Sequence, residues 1–192
     1  EDVTAFLYQT NLLNDLKTFK ARVCKAYEEN LEDNSANWFF FEKSKKLIKY
    51  VSLEGHRALQ DSRSIGLRPL MVTDKLRDIK IKSMGLSAVA PTLDLLVAAG
   101  VENITAYDGG IEDPSNLPRY VGSMARLDSI GLAKAEMLSE TLYMRNPYGN
   151  YDLVCGKVVE NKEDIKDVGD VCFEEFFHGA DMVLEVVDDV YL

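Results

Sequence analysis

Cysteine is scarce in this chain. There are three, Cys24, Cys155 and Cys172, an odd number placed far apart. That excludes a disulfide framework and a zinc cluster built on cysteine pairs, and predicts reduced thiols. Cys155 in a strand and Cys172 on a helix read as core thiols rather than nucleophiles. Histidine is scarcer still. Neither His56 nor His178 has a companion ligand at metal spacing, and His178 suits a helix C-terminus. No apolar run approaches the roughly 20 residues of a membrane helix, and no secretory leader is visible. Basic residues are outnumbered, 22 against 32 acidic, for a net charge of -10. Such a surface repels phosphate backbones, which argues against nucleic acid as a partner but leaves room for a local basic pocket holding one nucleotide. The expectation is a cytoplasmic protein with no membrane or nucleic-acid partner. The chain starts at Glu1 rather than Met and stops at Leu192 directly after a strand-like run. The expectation there is a trimmed form of a longer protein.

Glycine is missing where it would be most informative. The stretch IKIKSMGLSAVAPTLDLLVAAG, residues 79–100, reads as strand, tight turn and helix. A dinucleotide-binding turn has the pattern G-x-G-x-x-G, and here the three places hold Gly85, Ser87 and Ala90. Gly85 keeps the place where a positive φ is most needed. Ser and Ala are small enough to let the backbone approach a phosphate and the helix pack on its strand. The helix start still presents free N–H groups to an anion. Asp108, 23 residues after Gly85, ends the next strand (NITAYD), where an acid would hold a ribose hydroxyl.

Residues 4–31 place Leu12, Leu16, Phe19, Val23 and Tyr27 on one helical face, with Thr4 as N-cap. A polar break (LEDNSAN) follows, then the aromatic run 38–41, read as an anchor for a small helical N-terminal region over residues 1–55. From residue 56 onward strand and helix alternate: strand 79–84, helix to Gly100, strand 103–108, helix 131–147 stopped by Asn-Pro, strand 151–159, helix 170–181, and a nearly all-apolar strand 182–189. The last reads as buried on both faces. The pattern predicts an α/β fold, a Rossmann-like, mostly parallel sheet with flanking helices over 56–192, lacking the end of its C-terminal part.

The segment GGIEDPSNLPRY, residues 109–120, carries Ser-Asn-Leu-x-Arg just after the strand-ending acid. This resembles the adenylating domain of the ThiF/MoeB/HesA family, whose fold is shared with ubiquitin-activating enzymes. AAGVENITAYD, GLAKAEMLSETLYMRNP, GADMVLEVVDD and RALQDSRSIGL match further stretches of that family, from Arg57 to Asp189. The resemblance implies that Asp108 binds the ATP ribose. It implies that Asn116, Arg119 and Lys134 hold the phosphates, that Asp188 organises Mg²⁺, and that Arg63 reaches the phosphates of the other subunit of a homodimer. Gly85 and Ser87 would line the phosphate turn. Two departures stand out. Ser87 replaces a loop glycine, and Gly110 stands where the family has a second acid.

The implied activity is that of an ATP-dependent adenylyltransferase, activating a carboxylate as an acyl-adenylate. The C-terminus of a small ubiquitin-like or sulfur-carrier protein is the partner that the resemblance suggests. The alternative is a catalytically inactive scaffold or partner subunit of the same fold. A nicotinamide-cofactor domain is a third option, but the Ser-Asn-Leu-x-Arg loop has no role there.

Overall fold

The computed structural model describes residues 36–62, 73–117 and 126–186; at 61, 62, 73 and 74 only the backbone is described. The chain forms two compact units, Glu1–Asp74 and Lys75–Leu192. The expected helix over 4–31 and Cys24 lie outside the described residues.

In the first unit, β1 (Asn37–Phe41) and β2 (Lys46–Tyr50) form an antiparallel hairpin, followed by helix α1 (Leu53–Ser62). The N-terminal region is thus strand as well as helix in its described part. The reason is local. Trp38-Phe39-Phe40-Phe41 is a run of residues that favour a pleated strand, and Lys45 takes the positive φ (53°) that closes the turn to β2. The buried His56 meets Tyr50, with 3.1 Å between Nδ1 and the phenolic oxygen.

The second unit contains α2 (Thr73–Asp78, which straddles the boundary), β3 (Lys80–Met84), α3 (Ala90–Ala99), β4 (Asn103–Tyr107), α4 (Lys134–Arg145), β5 (Asn150–Val154), β6 (Val158–Val159), β7 (Val171–Cys172), α5 (Phe173–Phe177) and β8 (Met182–Glu185). Four strands form one sheet in the order β5-β4-β3-β8, every pair parallel. This is the Rossmann-like arrangement expected from the alternation of strand and helix. Ile81, Ile104, Ala106 and Tyr151 look to one face and form the main core with Leu86, Leu93 and Val97 from the α3 side and Ala135, Leu138 and Leu142 of α4. Met84, Tyr107 and Val183 look to the other, where Val171 and Phe176 cover them. The period of two along each strand decides which residues go to which helices.

Helix ends follow the local chemistry. Pro91 falls in the first turn of α3, where its missing N–H costs nothing. Gly100 ends that helix at φ 115°, and the Val101 amide bonds back to the Leu96 carbonyl. Asn146, extended ahead of Pro147, ends α4.

Several sequence expectations change. The strand expected over 151–159 breaks into β5 and β6 because the chain turns at Gly156, whose amide bonds to the Val154 carbonyl at 3.0 Å. Cys155 sits at that break and is exposed, so it is not a core thiol; Cys172 is buried, as expected, but in β7 rather than on a helix. The helix expected over 170–181 starts only at Phe173, because Val171 and Cys172 pair with β6. The last strand, expected to be buried on both faces, has β3 as its one strand neighbour among the described residues, and its Met182 is exposed.

Candidate functional site

The site lies at the C-terminal ends of β3 and β4, the edge where open α/β sheets gather ligands. Gly85 follows β3 with φ 80°, so it does supply the left-handed turn. Its amide continues the ladder to the Tyr107 carbonyl at 2.8 Å, and the buried Ser83 hydroxyl donates to its carbonyl at 3.0 Å. The chain then coils at once. The Ala90 amide bonds to the Leu86 carbonyl at 3.0 Å, closing one turn directly ahead of α3. This leaves the backbone amides of Ser87, Ala88 and Val89 without a hydrogen-bond partner among the described residues. They are free donors in the turn that leads into α3, next to its positive dipole end.

Asp108 follows β4 and reaches across to this turn. Its Oδ2 accepts from the Leu86 amide at 2.8 Å and its Oδ1 from the Gly110 amide at 2.7 Å. The carboxylate therefore clamps two loops, and each oxygen keeps a further lone pair for an incoming hydroxyl. Beyond Asp108 the chain makes a short antiparallel contact with the run into α4. Ile111 bridges Ala133, the Glu112 amide bonds to the Leu132 carbonyl at 2.8 Å, and the Lys134 amide bonds to the Gly110 carbonyl at 3.1 Å. That contact delivers Lys134 to the turn. Its Nζ donates to the Ser87 hydroxyl at 2.8 Å. Among the described residues no carboxylate lies within ion-pair distance of this half-buried ammonium.

Asn116 is buried in the short 3-10 turn Pro114–Asn116, which Asp113 caps by accepting from the Ser115 amide. Its Nδ2 donates to Glu112 Oε2 at 3.1 Å. Sequence reasoning passed over Glu112. A carboxylate two per cent exposed at that place leaves no signature in spacing or composition. Toward the other face of the sheet, burial pushes the Tyr107 phenol above its ordinary range, with the carboxylates of Asp152 and Glu175 adding to the shift.

The structure thus brings Gly85, Ser87, Asp108 and Lys134 into one place, and the ladder from Gly110 to Glu112 ties the Asn116 turn to the same strand end. Arg63, Arg119 and Asp188 lie outside the described residues. Among the described residues no group of three or more His, Cys, Asp or Glu side chains is disposed to hold a metal ion. No described helix is long and apolar enough to cross a membrane. Chemically, the arrangement offers one cation without an ion-pair partner among the described residues, one hydroxyl and three backbone N–H donors in the turn ahead of α3, beside an acid able to accept from hydroxyls. This is a donor set for a phosphorylated ligand.

Comparison with known proteins bears on the family and the fold. The model of the ThiF family matches residues 61–192. The solved structure of E. coli tRNA N6-threonylcarbamoyladenosine dehydratase, TcdA, in complex with ATP is similar over 72% of this chain and 52% of its own, at 21% identity and a TM-score of 0.58. The same protein in complex with AMP gives a TM-score of 0.59 at 21% identity, over 72% of this chain and 52% of its own. This chain spans about half the length of those structures. Comparison with curated proteins gives no match.

Proposed function

The chain belongs to the ThiF family, and from that premise we propose that it binds ATP and uses it to activate a carboxylate as an acyl-adenylate. The observation that carries this reading is the Lys134 ammonium, without an ion-pair partner among the described residues, donating to the Ser87 hydroxyl in the turn where the amides of Ser87, Ala88 and Val89 are free among the described residues. In the proposed reaction a carboxylate oxygen attacks the α-phosphorus of ATP. The bond from that phosphorus to the oxygen bridging it to the β-phosphorus breaks, and pyrophosphate leaves with the electron pair. Two anions must approach each other, so the cationic groups have to be in place beforehand.

The roles follow the positions. The turn amides and Lys134 meet the phosphates, while Asp108 accepts from the ribose hydroxyls with the lone pairs its backbone clamp leaves over. Asn116 and Arg119 extend the phosphate site. Arg63 serves the site of a second subunit in a homodimer. Mg²⁺ would be held by Asp188 and the phosphates themselves, and would supply charge neutralisation there. The proposed acceptor is the C-terminal carboxylate of a small ubiquitin-like or sulfur-carrier protein.

The test is exchange of labelled pyrophosphate into ATP in the presence of such carboxylates. The reading predicts exchange that needs both Mg²⁺ and the acceptor, and its loss in Arg119→Ala. Tight binding of ATP with no exchange for any acceptor would instead favour a scaffold or partner subunit that keeps the nucleotide site without the chemistry.

A further inference from the structure

Two departures from the expected pattern meet at one lysine: a serine in the phosphate turn and a glycine two residues after Asp108. Gly110 does not take a positive φ, so its φ does not by itself call for glycine. Space is what requires glycine there. A Cβ built on Gly110 would lie 2.8 Å from Asp108 Oδ1, 3.3 Å from Lys134 Nζ and 3.5 Å from Lys134 Cδ. The lysine stem runs over the bare face of this glycine on its way to Ser87, 47 residues distant in sequence.

Without that route the ammonium would have little reason to be where it is. Lys134 opens helix α4, and a cation at a helix start is repelled by the dipole. Asp108 faces the same glycine, but its two oxygens accept from the amides of Leu86 and Gly110. The ammonium is therefore restrained by a neutral hydroxyl. A hydroxyl accepts the hydrogen bond without forming an ion pair, whereas a carboxylate at position 110 would both fill the gap and add a second negative charge beside that of Asp108.

We propose that Ser87 is a positioning residue that orients the Lys134 ammonium toward the ligand, and that Gly110 is the gap through which the lysine reaches it. The two positions form a single device. A turn with glycine at 87 would leave the ammonium loose, and a side chain at 110 would crowd first the Asp108 carboxylate and then, more mildly, the ammonium. That the ligand is a phosphate rests on the function proposed above; the Ser87–Gly110–Lys134 coupling does not.

The experiment has two readouts, on wild type, Ser87→Ala, Ser87→Thr, Gly110→Ala and the Ser87→Ala/Gly110→Ala double variant. The first needs no nucleotide: the ¹⁵Nζ resonance and proton exchange of Lys134 in lysine-labelled protein. Ser87→Ala and Gly110→Ala each speed that exchange, and Ser87→Thr keeps it slow. The second is the affinity for Mg·ATP by calorimetry. Each single alanine variant weakens binding about 3- to 10-fold, as the loss of one hydrogen bond does, and the double variant is no weaker than either single one. If the Lys134 resonance is the same in Ser87→Ala as in wild type, or if the two losses add in full, the proposal is overturned. If wild type shows no heat with Mg·ATP while the Lys134 signal still depends on Ser87, the nucleotide reading fails and the positioning role stands.

Discussion

The carboxylate of Asp108 accepts a hydrogen bond from the backbone amide of Leu86 at 2.8 Å, joining the end of β4 to the turn that follows β3. The pair are 22 residues apart in sequence, and the bond fixes where the helix start points. An acid expected to serve a ligand thus also shapes the turn that would receive the ligand's phosphates.

Replacing Asp108 with asparagine tests this double role. Two backbone amides donate to the carboxylate, and asparagine offers one oxygen and one NH₂ group. One amide loses its acceptor, at a cost of about 1–3 kcal/mol. We expect urea unfolding to show that loss, together with weaker ATP binding. Full stability with binding lost would mean that the clamp contributes nothing to the turn.

Lys134→Met should behave oppositely. The ammonium stands at a helix start and has no acidic partner among the described residues, so its removal relieves an unfavourable charge. Thermal unfolding should show stability unchanged or slightly raised. Affinity for Mg·ATP should fall roughly 10- to 100-fold, the scale of a charge-assisted hydrogen bond. A variant that loses stability and keeps affinity would assign Lys134 to the scaffold.

The break between β5 and β6 gives a prediction independent of any ligand. A Cβ on Gly156 would lie 2.0 Å from the carbonyl oxygen of Gly169 and 2.3 Å from its carbonyl carbon. Both are backbone atoms and cannot swing aside. Gly156→Ala should cost about 1–3 kcal/mol as overpacking does, measured by chemical denaturation. An unchanged midpoint would show that the two segments do not meet there.

The same segment should respond to acid. Asp170 is held below the ordinary carboxyl value of 3.8 by backbone hydrogen bonds from Lys157, Asp167 and Lys166. A depressed folded-state pKa stabilises the loop above the unfolded value, and that contribution is lost as pH falls through the folded one. The amide resonances of Lys157, Asp167 and Lys166 should therefore hold steady down to about pH 4 and move together below it. In Asp170→Asn the acid step should be absent. A transition centred above the ordinary value would contradict the assignment.

Much of this fold was legible because apolar periodicity and helix punctuation are local signals. Pro91, Gly100 and the Asn146-Pro147 pair end or start helices by their own backbone chemistry, and the alternation of strand and helix implied the parallel sheet. Gly85 was legible for the same reason. What the sequence hid depends on distant partners. Cys155 reads as part of an apolar strand, yet the turn at Gly156 leaves it exposed. The aromatic run 38–41 suggested an anchor for helices but pairs with 46–50 as a hairpin. Glu112 carries no pattern at all, since a bond to Asn116 defines it, and Gly110 showed only as a missing acid, its reason being the space that Asp108 and Lys134 occupy.

The most direct measurement is a crystal structure of the protein with ATP and Mg²⁺. The account predicts phosphate oxygens within hydrogen-bond distance of Lys134 Nζ and of the amides of Ser87, Ala88 and Val89, with the ribose at Asp108. Density for the triphosphate elsewhere, with the Lys134 ammonium still on Ser87 and facing only solvent, would contradict it.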